Sequence, residues 1–177
     1  MSVHPAGRNQ RLAATNRGAR GFTLLELLVV LGIVAILALM TLPAYLDRNL
    51  RAQIEGAMPL AEIAKRPVAA AWALTQTLPA DNAAAGIPPA DSIVGNHVKS
   101  VAVRDGAIMI TFGNNAARTL NGKTLTLRPA VVEKYPEVPV AWVCGFAAVP
   151  DKMAVMGENR TTVPRGFLPL ACLGAGA

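Results

Sequence analysis

Charge is scarce in this 177-residue chain. Charged residues reach 16% against 53% hydrophobic, which is greasy for a soluble domain, and the length suits one modest domain plus a membrane or targeting segment. Acid is missing altogether from the first 21 residues, which carry Arg8, Arg11, Arg17 and Arg20. Without those four, 13 basic residues face 11 acidic ones, so the formal charge of +6 belongs largely to the N-terminus and argues weakly for nucleic-acid binding. Histidine is nearly absent, His97 being the only one beyond the N-terminal segment, and no CxxC occurs, so a metal centre is not expected. There is no Ser/His/Asp set, no phosphate-binding glycine loop and no internal repeat. An enzyme and a cofactor are therefore not expected.

What is present begins at "RGARGFTLLELLVV". Residues 1–21 read as a basic cytoplasmic tail or removable leader. From Phe22 to Leu42 the only charge is Glu26, and as a helix this run would span about 32 Å, enough to cross a bilayer core. The run is long for a secretory signal core, and the arginines before it hold its N-terminal end in the cytoplasm. Beyond it, Leu46, Leu50, Ile54, Met58 (or Ala57) and Ala61 recur near every fourth position, predicting that an amphipathic helix continues to about Thr77. Pro43, Pro59 and Pro67 lie inside that pattern, so kinks or local breaks are expected, with Pro43 the principal kink.

Residues 78–96 contain three prolines and small polar residues and read as loop. The period then changes. "HVKSVAVRDGAIMITFG" is two alternating runs joined by Asp105-Gly106, "KTLTLRP" (123–129) follows the Asn121-Gly122 turn as a third strand, and "VPVAWVCGF" (138–146) is a fourth. The expected fold is α+β: a long bent N-terminal helix over 22–77, membrane-spanning over 22–42, packed on a roughly four-stranded antiparallel sheet within a head of 78–177. Cys144 and Cys172 enclose 27 residues. Outside the cytoplasm they are expected to pair and stabilise the fold by roughly 3–4 kcal/mol, the alternative there being two buried free thiols.

"GFTLLELLVVLGIVAILALMTLPAY" resembles the N-terminal signature of type IV pilins and their relatives: a basic leader ending in Gly, then Phe-Thr-Leu-x-Glu and an apolar stretch leading to Leu-Pro-Ala-Tyr. "VAWVCG" and "LPLAC" resemble the surroundings of the cysteine pair in such heads, which implies a disulfide-closed C-terminal loop. The resemblance implies that a prepilin peptidase cuts between Gly21 and Phe22, that Phe22 is N-methylated, and that Glu26 is the assembly carboxylate. Glu26 costs on the order of 3 kcal/mol in lipid, which the Phe22 amine of an adjacent subunit would offset. The chain departs from the family where a glycine often follows Gly32 by three positions; here Ala35 stands.

The implied partners are copies of the same chain, the prepilin peptidase and N-methyltransferase, the inner-membrane assembly machinery, and lipid before assembly. The implied location is the inner membrane first, then an extracellular pilus serving adhesion, twitching motility or DNA uptake. A secretion pseudopilin, a minor or DNA-uptake pilin and a plain single-pass membrane protein share the same N-terminal features. For Glu26 the bland alternative is an interfacial charge favoured by its own helix N-terminus. Lys99, Arg104, Arg118, Lys123 and Arg128 are read as a solvated face, with DNA or a host surface as the weaker alternative. Trp72 and Trp142 are read as packing residues and His97 as a loop or strand-edge residue. Asn159-Arg160-Thr161 fits the N-glycosylation acceptor pattern without further support.

Overall fold

A computed structural model describes residues 21–174. One helix, α1, covers Leu24–Thr75, and five strands follow: β1 (Val98–Arg104), β2 (Ala107–Phe112), β3 (Thr124–Val131), β4 (Ala141–Cys144) and β5 (Ala154–Val155). The chain divides between Thr41 and Leu42 into two compact units, and α1 contributes to both. The first 20 residues of the basic leader lie outside the described residues.

The α1 assignment is continuous through Pro43, Pro59 and Pro67, so no break accompanies these prolines. The side chains of Thr41–Ala44 and Leu46 lie outside the described residues, and with them that of Pro43. Among the described residues no helix is long and apolar enough to cross a membrane. The span expected over 22–42 runs on into those undescribed side chains. α1 stops two residues before the expected Thr77 because Gln76 turns left-handed at φ 53° and donates its N–H to Trp72 O at 2.9 Å.

In the second unit α1 buries Ile54, Ala57, Ala61, Ala64, Val68 and Trp72, a three-and-four-residue spacing that makes one stripe. Three alanines in that stripe let the sheet come close. Against them pack Val101 and Val103 of β1, Ile108, Ile110 and Phe112 of β2, and Leu125 and Leu127 of β3. The sheet runs β1-β2-β3-β4, antiparallel throughout, and β5 pairs with β3. The β1–β2 turn is Asp105-Gly106 with φ of 49° and 79°, matching the primed hairpin turn that the dipeptide favours.

The fifth strand was not legible in the sequence, and Pro129 explains it. β2 pairs with β3 only as far as Leu127. Pro129, next in the same backbone phase, has no N–H to offer that edge. Its carbonyl instead accepts the N–H of Met156 at 2.8 Å, and β5 takes up Ala130 and Val131 where β2 has ended. β4 begins at Ala141, later than the expected 138, since Val138 closes a turn onto Tyr135 O.

Candidate functional site

The start of α1 is built by Thr23. Its carbonyl accepts the first helical bond, from Leu27 N–H at 3.1 Å, and its Oγ1 accepts the Glu26 N–H at 3.2 Å. Thr23 is thus the helix N-cap, and Thr-x-x-Glu is the sequence form of a capping box. This was the signal that sequence reading missed. Glu26 is the acidic residue of the first turn, where unpaired helix N–H groups favour negative charge.

Around that carboxylate the helix is apolar on every side. The large apolar side chains described from Leu24 to Met40 are all at least 48% exposed, and Phe22 is 77% exposed. A helix greasy all round is covered by lipid or by protein, and among the described residues these side chains stand exposed. Among the described residues the ion pairs are Lys65–Glu62 at 2.7 Å and Arg160–Glu158 at 2.6 Å, and none of them involves Glu26.

The second functional feature is the C-terminal loop. Cys144, ending β4, is bonded to Cys172 in the turn Leu170–Cys172, and both are buried. Phe146 donates its N–H to Cys172 O at 2.9 Å, beside Gly145 at φ 53°. Other contacts hold an earlier part of the same loop. Thr161 Oγ1 accepts Thr126 N–H at 3.1 Å and Thr162 Oγ1 accepts Thr124 N–H at 2.8 Å, while Thr162 N–H returns a bond of 2.8 Å to Thr124 O. Two threonine hydroxyls therefore finish the β3 edge that β4 leaves open. Asn159 Nδ2 donates to Gly145 O at 2.7 Å and its Oδ1 accepts Thr161 N–H at 3.1 Å. Arg51 of α1 donates to Gly166 O at 2.9 Å, and the Arg165 guanidinium lies 4.2 Å from the Phe146 ring centroid. The Asn-x-Thr pattern is thus engaged in tying the loop to the sheet.

Trp72 is buried in the core, and Trp142 packs against the core with Lys65 Nζ 5.9 Å from its ring. His97 bonds through its two ring nitrogens to the Asn96 side chain and Asn115 O. Among the described residues no cluster of His, Cys, Asp or Glu could hold a metal. The five head cations do not converge. Lys99 and Lys123 flank the Phe112–Gly113 end of β2, whereas Arg104 sits beside the hairpin turn at the other end. Arg118 is exposed in a turn, and half-buried Arg128 points its Nη2 at Gly145 O, 3.4 Å away.

Comparison with known proteins agrees with this architecture. A family model described as pilin (bacterial filament) matches residues 50–173, and one described as the prokaryotic N-terminal methylation motif matches residues 16–42. The chain is 39% identical over 127 residues, 71% of its length and 74% of the relative's, to the type IV major pilin protein PilE of Neisseria gonorrhoeae. It is 36% identical over 143 residues to a fimbrial protein of Neisseria meningitidis serogroup B, covering 80% and 82% of the two chains. It is 41% identical over 114 residues to the fimbrial protein EcpC of Eikenella corrodens, covering 62% and 73%. With its head matched almost end to end and its N-terminus matched by the methylation motif, the chain belongs to the pilin family of bacterial filament proteins.

Proposed function

We propose that this chain is a structural subunit of a type IV pilus, cut between Gly21 and Phe22 by a prepilin peptidase, methylated at the Phe22 amine and polymerised through α1. The observation that carries this reading is the uncovered apolar surface from Leu24 to Met40 around the single carboxylate of Glu26. Lipid covers such a helix but penalises its carboxylate; a bundle of like helices covers it and brings a partner charge. That partner is the Phe22 ammonium of a neighbouring subunit, a group that exists only once the leader is gone. Cleavage there leaves Thr23 as the second residue, so the cap that starts α1 survives processing.

Before assembly the chain rests in the inner membrane; afterwards it lies in an extracellular filament whose head surface serves attachment, twitching motility or DNA uptake. Relatives named as major pilin and fimbrial proteins support a bulk structural role. Mass spectrometry of sheared surface filaments tests the processing step: the expected chain starts at N-methylated Phe22, and an intact N-terminal leader in assembled protein overturns it. Glu26→Ala tests the assembly step, with normal cleavage but few or no filaments by electron microscopy as the expected result.

A further inference from the structure

β1 is the edge strand of the head sheet, pairing with β2 on one side only. An exposed strand edge is a template onto which another chain can add. Here the middle of that edge is occupied by one side chain. Asn82, only 8% exposed, accepts the Val103 N–H on Oδ1 at 2.6 Å and donates Nδ2 to Val101 O at 3.1 Å. The same Nδ2 donates to Pro88 O at 2.8 Å, so both amide protons are used and the partners fix which end of the amide is oxygen. Asp81 positions Asn82 by accepting the N–H groups of Ala84 on its carboxylate and Ala85 on its carbonyl. Farther along, Ala80 O and Pro79 O accept Asp105 N–H and Gly106 N–H, continuing the cover to the hairpin turn.

We propose that Asn82 is a residue that determines assembly specificity: its amide takes the place of a neighbouring strand on β1, so that a second copy of this chain cannot add there. The proposal leans on the filament reading only for the crowding of identical heads. In such crowding an open β1 edge offers each head the same seven-residue strand on every other head, a contact that competes with association through α1. A side chain seals the edge where a strand would not, because it satisfies Val101 and Val103 without exposing a fresh edge of its own.

The test uses the full chain in detergent, unassembled, so that failure of the filament reading leaves the outcome unaffected. Asn82→Ala orphans the Val103 N–H and the Val101 carbonyl on the edge, and the Pro88 carbonyl in the loop; hydrogen exchange at the Val103 amide is expected to quicken about tenfold or more. Light scattering is expected to show concentration-dependent association beyond that of the parent, with an intermolecular β-sheet band in the infrared. A double variant, Asn82→Ala with Ser100→Lys, places a charge on the opened edge. It is expected to keep fast Val103 exchange and to return to the parent's association state, which a merely unfolded head would not do. Unchanged exchange at Val103, or fast exchange without new association, overturns the proposal.

Discussion

At the scale of single residues, backbone conformations carry as much of the architecture as side chains. Gly106 stands at φ 79°, and a Cβ there would lie 2.7–3.0 Å from side-chain atoms of Leu78, the residue that leads from α1 toward the hairpin. Gly106→Ala therefore combines left-handed strain with a clash, and a loss of about 1–3 kcal/mol is expected, read as a lower midpoint in thermal unfolding. The Asp-Gly signal and its turn were legible because they depend on two adjacent residues. The Glu26 carboxylate was legible too, since a lone acid in an apolar run stands out in any sequence. Asn82, Thr161 and Thr162 were not, because each acts on a strand at least 19 positions away and nothing local marks it. Thr23 was legible in principle, three residues before Glu26, though its capping pattern lies inside an otherwise apolar signature.

At the scale of elements, α1 is legible by its period and is selected by size. Ala61 is fully buried against the sheet, whereas Gly56 on the other side of the helix has nothing within 4 Å of where a Cβ would be. The two positions predict opposite responses. Ala61→Leu should cost about 1–3 kcal/mol by overpacking the alanine stripe. Gly56→Ala should gain about 0.5–1 kcal/mol by restricting the unfolded chain and improving helix propensity. Denaturant midpoints of the two variants check the pair, and equal effects would mean that the helix is not seated on the sheet through this stripe. The strands followed their alternation closely until Pro129, where a missing N–H redirects pairing from β2 to β5. That redirection depends on which partner faces the proline, which is a property of the sheet and not of the segment.

At the scale of the whole chain, two kinds of tie fasten the C-terminal loop, and they are separable. The disulfide joins Cys172 to the end of β4, whereas Thr161, Thr162 and Asn159 fasten an earlier part of the loop to β3 and Gly145 without it. Arg51 adds a tether from α1 at Gly166, between the two. The pairing of the cysteines was expected from a non-cytoplasmic location and from the resemblance of their surroundings to pilin heads, but the division of labour along the loop was not legible. Closing 28 positions of chain stabilises the fold by roughly 3–4 kcal/mol through the unfolded state, so reduction should lower the unfolding midpoint of the head. Below that midpoint the reduced protein should lose amide protection at Phe146, Cys172 and Leu173, whose partners all lie close to the bridge. Thr124 and Thr126 should keep theirs, because threonine hydroxyls hold those amides whether or not the bond is closed. Hydrogen exchange on oxidised and reduced protein separates these outcomes residue by residue. Loss of protection at Thr124 and Thr126 on reduction would show that the threonine contacts are consequences of the disulfide instead of independent ties.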